Sequence, residues 1–323
     1  LIQPLTLGNT QFPINIIQGP LAGISCSPFR YLTWQQSQPA FSSTEMISCK
    51  TILHGSQKII DRYIEKHPQE GPVCFQLSAT DPLELSTATK IVTDQGADLI
   101  DLNCGCPVKK IRNKGAGSKL LTDPKKLFQL IDSMKQSTHV PVSIKIRVDG
   151  DSDEKFNHEI AQVVQDAGAD FLVVHGRHWT ERYDAPCRYE QIQFFVEALN
   201  IPVIGNGDIS DAESLRQMFL TGCAGVMIGR AGVGQPWLIK KLMAELKGES
   251  FIAPSAKEIG EMLLLHTQGL IDLLESERLA IFAARKFAKY YGRLMRDLNI
   301  FISEINQCEG FVDFRRVVLS YFK

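Results

Sequence analysis

The chain has 323 residues, of which 44% are hydrophobic and 22% charged, and its formal net charge is −1. These proportions exclude a disordered polypeptide and fit one large barrel plus a smaller module with a full hydrophobic core. No apolar run reaches the roughly 18 residues that cross a bilayer, and the eight cysteines are too scattered for a disulfide framework.

A near-zero net charge neither requires nor excludes a nucleic-acid partner, because such binding depends on local clusters of cations. The N-terminal stretch LIQPLTLGNTQFP lacks the basic start and apolar core of a signal peptide, and it begins without Met, which leaves a trimmed N-terminus open. Cys74, Cys223 and Cys308 read as core or free thiols, so a reducing cytoplasm is the expected setting.

Short β-rich apolar runs then recur, each followed by a helical stretch. Strands are expected at 14–20, 41–48, 73–79, 99–105, 142–148, 171–177, 202–208 and 225–231, with amphipathic segments such as PLELSTATKIVTDQGA and PKKLFQLIDSMKQ between them. Helix starts are marked by Asp81 before Pro82, Asp123 before Pro124 and Ser210 before Asp211. DAGAD (166–170) and TGCAG (221–225) read as helix ends turning into the next strand. Regular alternation implies a parallel sheet, and eight units of it imply an α/β (β/α)₈ TIM barrel of about 250 residues, with an open doubly wound sheet as the alternative. After residue 247 the strand pattern stops at a Gly/Pro/Ser linker, KGESFIAPSA, and helices are expected over 256–276, 278–298 and 310–321. The expected domains are a barrel over 1–247 and a C-terminal helical bundle over 255–323.

In such barrels function sits at the C-terminal strand ends, and that is where the polar residues fall. The first strand ends in GPLAG and the second near Glu45. The third carries Gln76 and the fourth Asn103. Lys145 and Arg147 lie on the fifth, His175 and Arg177 on the sixth. Asn206, Gly207 and Asp208 end the seventh, Gly229 and Arg230 the eighth. Polar groups inside apolar strands are costly unless paired. GNGD and IGRAGVGQPW suggest a phosphate grip of backbone N–H groups, a helix N-terminus and Arg230. The ligand it serves stays open among FMN, a sugar phosphate and a nucleotide. Lys145, in mid-strand, suits the negative edge of a reduced flavin or, alternatively, a Schiff base.

DLNCGCPVKKIRNKGAG (101–117) carries two cysteines one residue apart. Zinc sites usually pair cysteines about two to four residues apart and need a second pair, which is missing, so no metal is expected. A redox pair usually has two intervening residues. Cys104, at a strand end, reads as packing. Cys106 starts the loop and should face the pocket, beside Lys109, Lys110, Arg112 and Lys114. Two buried small hydrophobes remain the plain alternative.

Taken together, GPLAGISCSPFR (19–30), TEM (44–46), the Gln76 strand, LNCGCPVKKIRNKGAGSKLL, SIKIRV, VVHGR, IPVIGNGDI and GVMIGRA follow one another over nearly the whole chain. In this order they closely resemble the tRNA-dihydrouridine synthases, FMN-dependent barrels with a C-terminal helical domain. The resemblance implies reduction of a tRNA uridine to 5,6-dihydrouridine. Hydride would go from reduced FMN to carbon 6 and a proton from Cys106 to carbon 5, with NADPH regenerating the flavin. An ordinary thiol, with a pKa of about 8.5, is mostly protonated at neutral pH and able to donate. By the same resemblance Pro20, Leu21, Ala22, Gln76, Lys145, His175, Asn206, Gly207, Asp208, Gly229 and Arg230 would hold FMN. Asn103, Arg147, Arg177 and Lys109 would contact substrate. The family is commonly monomeric. The chain departs from it at His178, where Thr is usual, at Gly19, where Ala is common, and over 178–189, which makes Arg182 and Tyr183 weak candidates for substrate contact.

Independently, Arg285, Lys289, Arg293 and Arg296 are spaced by four, four and three residues. On one continuous helix they would form a cationic face suited to phosphates, with Lys286 at its edge, although a solvated helix face has the same pattern. The rival functions are an FMN barrel acting on a free pyrimidine and a non-catalytic tRNA-binding module.

Overall fold

The computed structural model describes residues 1–148, 154–182 and 184–323. The chain opens with a hairpin that the sequence pattern did not announce. Strands β1 (Leu5–Leu7) and β2 (Thr10–Phe12) pair antiparallel around Gly8, whose φ is +54°. Three-residue strands are too short for a periodicity signal. Gly8 lies against Pro141 and Asp170, which precede two barrel strands, so the hairpin caps the N-terminal end of the barrel.

The barrel strands are β3 (Ile16–Gln18), β4 (Ser42–Ser43), β5 (Ile47–Ser48), β6 (Val73–Ser78), β7 (Leu99–Cys104), β8 (Val142–Arg147), β9 (Phe171–His175), β10 (Val203–Asn206) and β11 (Gly225–Ile228). All their pairings are parallel, and the ring closes through β4, which bonds both β3 and β6. Because β4 and β5 are one interrupted stave, the barrel has eight staves, as the alternation implied. The intervening helices are α1 (Ser27–Ser37), α2 (Cys49–His54), α3 (Gln57–Ile64), α4 (Pro82–Asp94), α5 (Lys109–Arg112), α6 (Pro124–Lys135), α7 (Glu154–Asp166), α8 (Tyr189–Ala198), α9 (Ala212–Leu220) and α10 (Leu238–Lys247).

Strand alternation sorts the side chains. Phe41, Cys74, Leu99, Phe171, Val173, Ile204 and Met227 fill the barrel's interior together with Leu5, Leu7 and Phe12 of the hairpin. The alternate residues Ile100, Leu102 and Cys104 of β7 pack outward in the main core with the surrounding helices. Cys104 therefore is packing, as its position suggested. Helix starts follow local chemistry: Asp81 accepts from the N–H groups of Leu83 and Glu84, and Asp123 from that of Lys126. At α9 the cap is Asp211, not Ser210; it forms a reciprocal capping box with Ser214.

Beyond the linker come α11 (Ala256–Leu274), α12 (Glu277–Tyr291), α13 (Leu298–Gln307) and α14 (Phe311–Tyr321). The helix expected over 278–298 thus ends at Tyr291, a 3-10 turn covers Gly292–Leu294, and α13 is an additional helix. Gly292 breaks the run: it is the poorest helix former short of proline, and a Cβ there would meet Leu298 and Phe301 at 2.9 and 3.1 Å. The apolar period of Leu294, Met295 and Leu298 continues across the break, which is why the pattern read as one helix. The helical unit shares its core with the barrel, since Ile24, Phe29, Val233 and Trp237 pack among its residues. Among the described residues no helix is long and apolar enough to cross a membrane.

Inside this bundle His266 is fully buried beside Phe287, with ring centroids 4.1 Å apart, and its Nε2 has no partner. Burial, with Lys286 nearby, pushes its pKa down to about 3. The unfolded imidazole titrates near 6.5, so between these values only the unfolded chain binds the proton. Stability is then lost as pH falls through that window, by up to roughly 1.4 kcal/mol per pH unit. His266→Leu is expected to flatten the dependence between pH 6 and 4 by about one proton in urea titrations. An unaltered slope would assign the acid sensitivity elsewhere.

Candidate active site

A cavity of about 800 Å³ opens at the C-terminal mouth of the barrel. That is within the usual size of a small-ligand site. Its lining contains Pro20, Leu21, Ala22, Gln76, Asn103, Cys106, Lys145, Arg147, His175, Arg177, Asn206, Gly207, Asp208, Gly229, Arg230 and Arg293. Lys109, Arg285, Lys289 and Arg296 lie outside it.

Register explains the convergence. Gln76 stands opposite Asp101, Asp101 opposite Ser143, Asn103 opposite Lys145, and Arg147 opposite His175. In each strand these residues share the inward parity. A hydrogen-bond chain runs along them. Ser143 Oγ donates to Asp101 at 2.6 Å, Gln76 Nε2 donates to the other Asp101 oxygen at 2.8 Å, and Asn103 Nδ2 donates to Gln76 Oε1 at 2.8 Å. Asn103 Oδ1 in turn accepts the Cys106 backbone N–H at 3.0 Å. A buried carboxylate is thereby connected through two amides to the loop that carries the thiol. The far side of that loop is fixed by Ser118, whose N–H and hydroxyl both donate to the Cys106 carbonyl at 3.1 Å. Gly117, at φ +61°, permits this contact; a Cβ there would lie 2.7 Å from the Cys106 carbonyl oxygen.

Lys145 Nζ donates to Asn206 Oδ1 at 2.8 Å, and Asn206 Nδ2 to the Met227 carbonyl at 2.8 Å. Burial lowers the Lys145 pKa and raises that of Asp101, and each charge is a favourable influence on the other. Burial also holds the His175 pKa well below its ordinary value, helped by the cations Lys145, Arg147, Arg177 and Arg230. Arg177 Nη1 lies 3.2 Å from His175 Nε2. A guanidinium only donates, so the neutral imidazole accepts at Nε2 and carries its proton on Nδ1.

Arg177 has further partners. It pairs with Asp208 and donates through Nε to the Ala185 carbonyl at 2.5 Å. Asp208, at φ +51°, also accepts from the Cys187 N–H. The pair neutralises a carboxylate beside the glycines proposed for phosphate and ties down the loop before α8. Arg147 donates to the His178 carbonyl at 2.9 Å on the same loop. Trp179 of this loop lies under Arg112, whose guanidinium carbon is 3.1 Å from the ring centroid. Arg182 is exposed, and Tyr183 lies outside the described residues.

The cationic stripe needs correction, because the helix break at Gly292 divides it. Arg293 turns back to the barrel, donates to the Ala231 carbonyl at 2.9 Å and enters the pocket wall with Tyr290. Arg285 donates to the Cys308 carbonyl at 2.9 Å. Lys289, Arg296 and, on the other side of the pocket, Lys109 are exposed.

A family model described as dihydrouridine synthase (Dus) matches residues 17–318. The chain belongs to the dihydrouridine synthase family. It is 32% identical over 305 residues to tRNA-dihydrouridine synthase B of Pseudomonas aeruginosa, covering 94% of this chain and 91% of that one. It is 34% identical over 291 residues to a probable tRNA-dihydrouridine synthase 1 of a Synechocystis species, covering 90% and 81%. Among solved structures, morphinone reductase shares the fold with a TM-score of 0.57 at 13% identity, over 79% of this chain and 91% of that one. The resemblance noted in the motifs is thus a family membership, and the chain is an oxidoreductase of that family.

Within this dihydrouridine synthase several residues of the site escaped the sequence reading. Met46, Met227 and Tyr290 line the pocket, and Asp101 and Ser143 stand behind it. Asp101 opens the DLNCGC motif, and the parity of 101 with 103, and of 143 with 145, was the available signal. Tyr290 carried none, since only the docking of α12 brings it there. Gly19, where the family commonly has Ala, faces Met227; a Cβ would meet its side chain at 2.7 Å.

Proposed function

We propose that this chain reduces a uridine of tRNA to 5,6-dihydrouridine with FMN as resident cofactor and NADPH as electron donor. The observation that carries the reading is the convergence of Cys106, Asn103, Lys145, His175 and Arg230 on one cavity at the barrel mouth. The residues present suit FMN. Pro20, Leu21, Ala22 and Met227 offer an apolar wall for a ring system. Lys145, Gln76 and the Nδ1–H tautomer of His175 offer donors, and Gly207, Gly229 and Arg230 offer an anion site. When bound, FMN would supply the hydride for carbon 6 of the uracil.

The protein's own groups would do the remainder. The Cys106 thiol would deliver its proton to carbon 5, and the Asn103 bond to its backbone would keep it facing the cavity. Asn103 and Arg147 would orient the base, while Arg177 would act mainly by holding the 178–188 loop. A uridine stacked in folded tRNA must be flipped out to enter, and Lys109, Lys289 and Arg296 would meet phosphates around the mouth. Arg285 and Arg293, bonded to backbone carbonyls, would shape that surface. The cytoplasm is the proposed setting, and all eight cysteines are free.

The test is a visible absorption spectrum of the purified protein, repeated after adding FMN and removing the excess. Bands near one flavin per chain, bleached by NADPH and followed by dihydrouridine formation on unmodified tRNA, are expected. No retained flavin would overturn the cofactor assignment. Turnover of free uridine at a rate equal to that of tRNA would move the substrate to small pyrimidines.

A further inference from the structure

Helix α12 reaches the mouth of the barrel with its C-terminal end and is fastened to the barrel at two points. At its C-terminal end Arg293 bonds the Ala231 carbonyl, and Gly234 packs directly on the Tyr290 backbone, where a Cβ would lie 2.4 Å from the Tyr290 carbonyl carbon. At mid-helix Lys286 Nζ donates to the Gly23 carbonyl. Glu45, a buried carboxylate in the interruption between β4 and β5, stands on the other side of Gly23. Gly23 is therefore flanked by a cation bonded to its carbonyl and by a carboxylate. A Cβ on Gly23, which sits at φ +69°, would be 3.1 Å from Lys286 Nζ and 3.9 Å from Glu45 Oε1, so the two charges flank the same point.

Gly23 ends a tight loop. The preceding Pro20, Leu21 and Ala22 form one wall of the cavity, and Ser25 bonds Leu21 in both directions. On the barrel side Arg30, in a buried bidentate pair with Glu70, donates to the Ser25 carbonyl at 2.9 Å. The loop is thus anchored below by Arg30, while its outer turn depends on Glu45 and Lys286. Neither of these two lines the cavity. The electrostatic cost of burying Glu45 is offset by cations, and Lys286 is the one supplied by the helical domain.

We propose that Glu45 and Lys286 are positioning residues, which flank Gly23 from the barrel and from the helical domain and so hold the Pro20–Ala22 wall against the bound ligand. Ligand retention then depends on docking of the helical domain through a pair that never touches the ligand. The ligand assignment rests on the proposed function, whereas the clasp formed by Glu45 and Lys286 does not. An arginine at 286 can keep the bond to the carbonyl.

The test uses the full chain. FMN dissociation constants are measured for the wild type, Glu45→Gln, Lys286→Met, Lys286→Arg and the double variant Glu45→Gln/Lys286→Met. Backbone hydrogen exchange over 19–25 is followed in the ligand-free proteins, and Lys257→Met, on the exposed face of α11, is the control. Weakening of FMN binding by about tenfold is expected for Glu45→Gln and Lys286→Met, with faster exchange confined to 19–25. Near wild-type behaviour is expected for Lys286→Arg and the control, and the double variant should be no worse than the weaker single. Unchanged exchange and unchanged FMN affinity, or fully additive losses, would overturn the clasp. Should Glu45→Gln fail to fold, the exposed Lys286 still carries the comparison. Should the wild type bind no FMN, the proposed cofactor fails, and exchange over 19–25 alone decides the clasp.

Discussion

Replacing Cys106 with alanine is expected to lower dihydrouridine formation by about 10²–10⁴-fold, the contribution of a positioned general acid, with the protein folded and its flavin content unchanged. The thiol lies at the lip of the cavity and its side chain supports no part of the core. Its loop is held by backbone groups: the N–H by Asn103 and the carbonyl by Ser118. Removing one sulfur leaves all of these in place. The loss should therefore appear in the rate with saturating tRNA, while tRNA affinity and reduction of the flavin by NADPH stay near wild type. Activity retained within a few-fold would show that the carbon 5 proton comes from elsewhere. Loss of flavin along with activity would mean that the loop, not the thiol, had been damaged.

Asp101→Ala is expected to cost about 2–4 kcal/mol of stability, because two buried donors, at about 1–3 kcal/mol each, lose their acceptor. The carboxylate accepts from Ser143 and Gln76, and its charge favours that of half-buried Lys145. Without it, two donors lose their acceptor and the lysine loses its counter-charge. Gln76 is then free to turn, and Asn103 loses the partner that aims it at the Cys106 backbone. Urea unfolding of the ligand-free protein measures the first effect. The second should appear in Asp101→Asn, which keeps the volume, as a fall in dihydrouridine formation larger than its stability loss accounts for. Wild-type stability in Asp101→Ala would mean that the chain of amides carries no strain-bearing role and that Lys145 is satisfied by Asn206 alone.

Most of this site was readable because a parallel barrel brings its strand ends to one rim. Once eight alternating units were recognised, Gln76, Asn103, Lys145, His175 and Asn206 had to meet. Asp101 and Ser143 were equally readable by parity, yet they lie one layer deeper, where a polar residue in an apolar run passes for tolerance of the fold. The short hairpin over 5–12 and the helix break at Gly292 carried no periodic signal of their own. The break mattered more, since it turned a presumed cationic helix face into separate residues. Of these, Arg293 serves the pocket wall, Arg285 binds the backbone of the bundle, and Arg296 lies exposed.

By itself the sequence determined the stave-and-helix order and the inward parity of the polar residues. Both follow from local periodicity. Only the tertiary structure decided that Arg177 is spent on Asp208 and a loop carbonyl, that Tyr290 and Arg293 complete the cavity, and that Glu45 and Lys286 meet across Gly23. These pairings join segments tens to hundreds of residues apart, and no local rule of spacing determines which buried charge will find which partner once helices and barrel dock.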